Sequence, residues 1–523
     1  MKTTVNGLRL ELGQNIEKLP GKAAKKLGIR PETVVNWRLV RRSLDARKKK
    51  DIHYVCSVEI STDKDDSGFE DAIPGVWPEQ IDPDPALCRP VIAGFGPAGM
   101  FAALFLARAG LRPIVIERGQ QVEKRIDSVE KFRRTGVLNP ESNAQFGEGG
   151  AGTFSDGKLN TGTRDSRIGA VLGEFYRHGA QESVLWDAKP HIGTDVLTGI
   201  VRSFRNEIIS LGGEVRFENT LTGINVSGQT LKSIMVRAAD GEYELPCNNL
   251  ILAIGHSARD TVAELFREGV PMERKAFSMG ARIEHLQSRI NSAQYGADRT
   301  DLPPADYSLA VHLPDGNSAY TFCMCPGGYV FSAASEKNGV CTNGMSYSGR
   351  AGENANSALL VTLLPEDFPG TGPLAGMEWQ KEIERKAYRY GKENGEYYAT
   401  AQLVGDFLKD VPSKGFGSVK PTYIPGVRWG DIREILPEKI SAVIASALPE
   451  LDRKLPGFAD PAAVLTAPET RSSSPVRILR RDSMESDISG LFPCGEGAGY
   501  AGGITSAAVD GLRCAEALLN KIK

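Results

Sequence analysis

The sequence predicts an α/β protein: a Rossmann-type dinucleotide-binding domain, interrupted by an inserted α+β domain and preceded by a small α+β module. Three observations carry this. A complete βαβ fingerprint occupies residues 88–118, a second strand–glycine–helix element occupies residues 490–518, and residues 1–86 have a strand pattern and charge of their own. A chain of 523 residues is too long for one core, because chains divide beyond roughly 250–300 residues. The expected division is 1–86 for the N-terminal module and its linker, 87–265 and 465–523 for the two parts of the dinucleotide-binding domain, and 266–464 for the insert.

The N-terminal module reads β-α-β-β. Val5 to Leu12 is strand-like, Gly21 to Leu27 is helical with Gly28 as its stop, and Val34 to Val40 and Ile52 to Ile60 are strand-like again. Residues 1–50 hold 14 Lys/Arg against 4 Asp/Glu, a net of +10. Arg41, Arg42, Arg47, Lys48, Lys49 and Lys50 suit RNA phosphates. They equally suit a solvated turn that contacts the acidic linker or another domain. The second reading is favoured, because Trp37 and Tyr54 are nearly the only aromatics there for base stacking. Residues 61–86 are acidic and proline-containing (Asp63, Asp65, Asp66, Glu70, Asp71, Glu79, Asp82, Asp84) and read as the linker.

In the fingerprint, the strand Val91 to Ala93 runs into Gly94-Phe95-Gly96-Pro97-Ala98-Gly99, an Ala/Leu-rich helix follows, and a second apolar strand ends in Glu117. Gly94 permits the tight turn, Gly96 lets backbone approach a pyrophosphate, and Gly99 lets helix and strand pack. The helix N-terminus offers unpaired N–H groups to phosphate. Glu117 lies 23 residues after Gly94, where its carboxylate can accept hydrogen bonds from both ribose hydroxyls and would repel a 2′-phosphate. Arg118 and Arg125 follow that acid.

Phe146 to Leu159 is a glycine-rich loop without a preceding strand, suited to close backbone approach at Gly150 and Gly152. Its Lys158 either adds charge near a bound cofactor or stands on the surface. After Glu214-Val-Arg-Phe come strand-like runs Leu221 to Val226, Leu231 to Ala238 and Glu242 to Leu245, with turns at Gly228 and Asp240-Gly241. An apolar strand, Leu250 to Gly255, follows.

The closing element joins a strand, Leu491 to Cys494, to Gly495-Glu496, a glycine-rich turn, and a helix starting near Gly503. An NAD dehydrogenase has no need of it. Here the chain resembles the FAD-dependent oxidoreductases built like glutathione reductase, whose second FAD motif has this form. The resemblance implies noncovalent FAD. Glu496 would bond the ribityl or pyrophosphate region, and Gly502, Gly503 and Ile504 would present N–H groups to the flavin N1–C2=O edge. Glu496 stands where that superfamily more often has Asp. The three-stranded meander beginning at Leu221 belongs to the same resemblance. The strand after it ends in Ala253-Ile254-Gly255 rather than Ala-Thr-Gly, so Gly255 is the dependable position. Arg118 or Arg125 would line the pyrophosphate or adenine side.

The full length is similar to a bacterial family of uncharacterised FAD-dependent dehydrogenases. The shared segments are Phe146 to Leu159, Phe322-Cys-Met-Cys-Pro-Gly-Gly328, Asn343-Gly-Met-Ser346 and Glu469-Thr-Arg-Ser-Ser-Ser-Pro-Val-Arg477. That family implies the cofactor and no substrate.

The insert would cap the flavin. Its Cys323 and Cys325 are either a redox pair or two packed thiols on one strand face. Arg471 and Arg477 would clamp an anionic substrate or pair with acids between domains. His256 and Arg259 are cofactor ligands or domain-boundary residues, and Cys494 and Cys514 read as packing. NAD(P)H enters as a transient reductant in the cap cleft, since no second complete dinucleotide fold is visible. The expected partner is a small-molecule substrate or electron acceptor. The alternatives are an RNA-binding or tRNA-modifying flavoprotein and an electron-transfer or redox-sensing protein.

Composition narrows the classes. Net charge is −2, hydrophobic content 41% and charged content 24%, ordinary for a water-soluble globular chain. No run reaches the ~20 apolar residues of a membrane helix, and Met1-Lys-Thr-Thr-Val-Asn lacks the apolar core of a secretory signal. Eight scattered cysteines fit a reducing cytoplasm, and no metal-ligand spacing stands out.

Overall fold

The computed structural model describes residues 2–62, 76–82 and 88–523. The linker acids Asp63, Asp65, Asp66, Glu70, Asp71 and Asp84 lie outside those residues.

The N-terminal module comprises β1 (Lys2–Glu11), α1 (Leu19–Leu27), β2 (Asn36–Asp45) and β3 (His53–Ser61). The strands form one antiparallel sheet in the order β1-β3-β2. Period-2 alternation puts Cys56, Val58 and Ile60 of the central strand on one face, where α1 covers them with Leu19 and Ala23. The module docks on the next domain through Arg42. Its N–H donates to the Trp186 carbonyl at 2.7 Å and its own carbonyl accepts from Ala188 at 2.9 Å. Its guanidinium meets Asp187 at 3.1 Å and lies 4.2 Å from the Trp186 ring centroid.

The next stretch is β4 (Val91–Ala93), α2 (Pro97–Arg108), β5 (Ile114–Glu117), α3 (Val122–Thr135), α4 (Ile168–Arg177), α5 (Thr194–Ser210), β6 (Glu214–Phe217), β7 (Thr220–Ser227), β8 (Thr230–Ala238), β9 (Gly241–Pro246), β10 (Leu250–Leu252) and α6 (Arg259–Arg267). The insert follows as β11 (Met272–Arg274), β12 (Phe277–Leu286), α7 (Gln287–Tyr295), β13 (Ala310–His312), β14 (Ser318–Cys325), β15 (Tyr329–Ser332), β16 (Thr342–Met345), β17 (Asn354–Leu363), α8 (Ala375–Gly391), β18 (Ala399–Leu403), α9 (Val404–Leu408), β19 (Val427–Trp429), α10 (Glu438–Lys454) and β20 (Val464–Glu469). The chain ends with β21 (Val476–Ile478), β22 (Leu491–Pro493) and α11 (Ile504–Ile522).

A five-stranded parallel sheet, β22-β10-β4-β5-β6, draws strands from both ends of the chain. Strands β22, β10, β4 and β5 are buried on both faces, hence their apolar runs, while the edge strand β6 is half-buried. Helix α2 is buried nearly all round because it lies between this sheet and α11. The two helices cross closely at Gly511, where an added Cβ would stand 2.1 Å from the Ala98 carbonyl oxygen. The meander β7-β8-β9 forms its own antiparallel sheet.

The insert is built on a seven-stranded sheet, β13-β14-β17-β12-β20-β18-β19, antiparallel except for β18–β19. Its central strands β12 and β17 are almost wholly buried, with α10 packed across them. The chain leaves for the insert through β11 and returns through β21, and these two strands pair antiparallel. The expected return at residue 465 is therefore too early. Strand β20 reads as one more apolar core strand, yet its ladder partners are β12 and β18 of the insert.

Candidate functional site

A cavity of about 440 Å³ opens at the carboxyl ends of β4, β5, β10 and β22 and is closed by β14, β16 and β20 of the insert. That is the crevice where open α/β sheets bind ligands, and its size is ordinary for a small-molecule or cofactor pocket, ~300–1,000 Å³.

Two helix N-termini meet it. Helix α2 starts at Pro97 behind Gly96 and α11 starts at Ile504 behind Gly503; neither has a side-chain cap. First-turn N–H groups have no partner within a helix, and they carry the positive end of its dipole. Backbone clears the way to α2. A Cβ added at Gly96 would meet nothing closer than the Gly150 Cα at 3.7 Å, so the chain there borders open space. Gly94 has φ +99° and an added Cβ would stand 2.3 Å from the Ala253 carbonyl oxygen, so no side chain fits. Gly99 does not line the cavity. It seats the helix on its own turn, with an added Cβ 1.9 Å from the Gly94 oxygen. Phe95, Pro97, Ala98, Gly150, Gly152, Leu221, Gly255, Gly495 and Gly502 all line the cavity.

Glu117 lines the cavity and also binds three backbone donors. Its Oε2 accepts from Phe95 at 2.9 Å, and its Oε1 accepts from Gly119 at 2.8 Å and Gly147 at 2.9 Å. One carboxylate thus ties the fingerprint turn to the glycine-rich loop. Arg118 stays at the cavity wall, bonded to Asp260 at 2.9 Å and Glu141 at 3.0 Å and 4.1 Å from the Phe146 ring centroid. Arg125 is a correction. It is wholly buried, away from the cavity, and donates to the carbonyls of Asn143 (2.9 Å), Ala144 (3.1 Å), Gly147 (3.2 Å) and Glu148 (2.6 Å). It shapes the loop and, buried outside the cavity lining, does not reach a cofactor there.

At the other helix, burial pushes the Glu496 carboxyl up to about 7, with Lys275 opposing. His256 Nδ1 lies 3.6 Å from it, and His256 Nε2 is buried without a hydrogen-bond partner among the described residues. Burial, then Arg471 and Arg259, push His256 down to about 3, so it is neutral. Asp510, which the sequence reading missed, accepts from the Gly495 N–H at 2.8 Å and pairs with Arg480 at 2.7 Å, fixing the turn before α11.

The expected substrate arginines are also corrections. Arg471 reaches the cavity wall, but its guanidinium is held by Glu384 (2.9 and 2.7 Å), Ser257 (3.2 Å) and Ser335. Arg259 meets the same carboxylate at 2.7 Å. Arg477 does not line the cavity; it pairs with Glu273 at 3.2 Å across β11 and β21. Glu384 was missed because it sits mid-helix in α8 with no local motif. It joins the insert to Arg259 of the first domain and ties in Arg471 just before the return strand.

The insert wall brings Cys323 to the cavity and Cys325 behind it; both are free thiols. Lys158 also lines the cavity, and its ammonium turns to Asp156 Oδ2 at 3.2 Å. Asp156 also holds Arg350 at 3.0 Å and Ser346. Burial alone would raise its carboxyl, but Lys158, Arg350 and His191 bring it down to about 2. Arg282 and Glu469 form a buried pair at 3.2 Å beside the cysteines. Asp156 and Glu469 lie within segments singled out from the sequence, though neither was picked as a residue.

Two side-chain clusters have metal-like groupings, Cys494–Asp510–Cys514 and Glu174–His178–Glu207. Each already contains a cation, Arg480 in the first and Arg108 in the second. Among the described residues no helix is long and apolar enough to cross a membrane.

Residues 276–472 match the family model described as FAD-dependent protein, C-terminal domain-like, and residues 1–61 match a domain of unknown function. A protein of Clostridium beijerinckii, described as uncharacterized, is 45% identical over 535 residues, covering 100% of this chain and 99% of that one. The two belong to one family. The matched C-terminal model ends at Arg471-Ser472, close to the return strand β21. Solved structures that align over most of the chain include the flavin-dependent brominase Bmp2 (12% identity, TM-score 0.38, 83% of this chain and 79% of that one). Another is the glycerol-3-phosphate dehydrogenase of Bacillus halodurans complexed with FAD (11%, TM-score 0.36, 84% and 64%). Likeness at that level carries no activity or substrate to this chain.

Proposed function

We propose that the protein is an oxidoreductase that holds FAD noncovalently in this cavity. The observation that carries the proposal is the cradle: two uncapped helix N-termini face one crevice, with bare glycine backbone between them. The residues fit the cofactor. The α2 N-terminus and Gly96 would take the pyrophosphate, Glu117 the adenosine ribose, and Arg118 and Phe146 the adenine side. Glu496 would take the ribityl chain, and Gly503 and Ile504 the electron-accepting edge of the flavin. Beside Glu496, His256 Nε2 is a buried polar atom with no partner among the described residues, and it would be available to the cofactor.

Bound flavin supplies two-electron transfer between a donor and an acceptor. The chain's own part is to bind, orient and exclude water. The α11 N-terminus favours negative charge at the flavin edge by about 0.3–1 kcal/mol, more where buried. Glu496, with its carboxyl pushed up to about 7, can hold or release a proton near neutral pH. Cap strands β14 and β16 and the Glu384 clamp close the crevice. A small molecule meets the flavin from the insert side, and NAD(P)H would do so transiently. Anaerobic NADH and NADPH titrations of the flavin absorbance test the reductant: bleaching supports it, and no bleaching by either removes it.

A further inference from the structure

At the insert wall, a cysteine pair lies beside a buried guanidinium and shares the cavity lining with a buried ammonium. Cys323 and Cys325 end β14. On a regular strand a rise of ~3.3 Å per residue would put Cα atoms two residues apart at about 6.6 Å. That is the upper end of what a disulfide spans, roughly 4.4–6.8 Å. Cys323 has φ +43° and the ladder to β17 shifts register between Phe322 and Cys325, so the pair sits on a bulge. The Cys325 thiol donates to the Cys323 carbonyl oxygen at 3.2 Å.

Lys158 supplies the second observation. Its ammonium nitrogen is buried and has no hydrogen-bond partner among the described residues. Its ion pair with Asp156 is shared with Arg350, so two cations meet one carboxylate. Lys158 and Cys323 line the same cavity. Arg282 adds a guanidinium at 3.0 Å from the Cys323 carbonyl and 3.8 Å from Cys325 Sγ. The acids opposing a thiolate here are Asp156, Glu469 and Glu496. Asp156 is paired, and burial raises the other two carboxyls. His191, pushed down mainly by burial, is neutral. The hydrogen bond from Cys325, then Lys158 and Arg282, hold Cys323 below the ordinary thiol range, while burial pushes Cys325 above it.

We infer that Cys323 and Cys325 are a thiol–disulfide redox couple, with Cys323 the cavity-facing thiolate, Lys158 its counter-ion and small disulfides the substrate class. The Cys323 thiolate attacks one substrate sulfur; the substrate S–S bond breaks, a mixed disulfide forms and one thiolate departs. Cys325 gives its proton to that thiolate and attacks Cys323 Sγ. The Cys323–Cys325 bond forms, and the second half leaves as a thiolate that takes a proton from water. Two electrons pass from the cysteines to the substrate. Restoring the dithiol takes two electrons and two protons from a two-electron donor. Reduced flavin is that donor under the function proposed above, and only this restoring step rests on that proposal.

The test is iodoacetamide labelling of the full chain from about pH 5 to about 9, read by peptide mass spectrometry. Cys323 should label with a midpoint at least about one unit below a free thiol's ~8.5. Lys158→Met should raise that midpoint by about one unit, near tenfold slower labelling at neutral pH, and Lys158→Arg should restore it. Treatment with hydroxyethyl disulfide should yield a bridged Cys323–Cys325 peptide, and Cys325→Ser should stop at a mixed disulfide on Cys323. An ordinary Cys323 midpoint indifferent to Lys158→Met overturns the inference, as does absence of the bridge. Neither readout needs flavin. A colourless protein that passes both would refute the FAD proposal and leave the couple standing; a yellow protein that fails both would do the reverse.

Discussion

Glu384→Gln should loosen the insert from the rest of the protein. The carboxylate is buried and accepts from Arg259 at 3.0 and 2.7 Å, from Arg471 at 2.9 and 2.7 Å, and from the Thr470 hydroxyl at 2.6 Å. Burial works against its ionisation, and the two guanidiniums overcome that and hold it well below the usual carboxylate range. The glutamine keeps one carbonyl acceptor and turns an NH₂ toward a cation, so two buried guanidiniums lose their counter-charge. Breaking a buried pair from one side costs about 3–5 kcal/mol. Glu336, 3.3 Å from Arg259 and partly exposed, offsets a little of this. The unfolding entropy is about 2.1 cal/mol/K per residue. If the matched insert, 276–472, melts as a unit, the drop in Tm is about 7–12 °C; if the whole chain melts together, it is about 3–5 °C. Scanning calorimetry of the full chain distinguishes these. The sign with pH follows. The folded pKa is depressed, so the contribution is complete above about pH 4.3 and is lost as pH falls below it. The mutant should lack that component of acid destabilisation. A Tm change under about 1 °C would refute the clamp.

Three further outcomes are expected. Gly96→Ala has room for its methyl and ordinary backbone angles, so the apoprotein should melt as wild type. The methyl occupies the phosphate approach, so FAD affinity should fall tenfold or more, about 1.4 kcal/mol, by flavin fluorescence titration. Glu117→Gln sets an NH₂ against backbone donors and should cost about 1–3 kcal/mol in apoprotein stability, read by thermal melting. Glu496, with its carboxyl raised to about 7 by burial, holds its proton longer folded than unfolded. Its contribution should therefore decline as pH rises from about 4.3 toward 7 and then level off. Glu496→Gln should flatten that part of the apoprotein Tm profile; an unchanged slope would contradict the assignment.

The parallel sheet and its cradle were legible because each rests on short-range pattern. Apolar runs, Gly94-x-Gly96-x-x-Gly99, Glu117 and Gly495-Glu496 all lie beside the turns they build. The roles of Arg125, Arg471 and Arg477 were not legible. A lone arginine near a motif looks the same whether it faces a ligand or four loop carbonyls, and only the tertiary contacts decide. Glu384 and Asp510 were invisible for the converse reason, since their partners lie 125 and 30 residues away. Boundary 464/465 failed because a buried apolar strand has no mark of which sheet it joins. Lys158, by contrast, kept its cavity position while turning its charge toward Asp156.

The most direct measurement is the visible spectrum and flavin content of the purified full-length protein, before and after incubation with FAD. A yellow protein with one FAD per chain, released intact on denaturation, is the predicted result. A colourless protein that takes up no FAD would contradict the account at its centre.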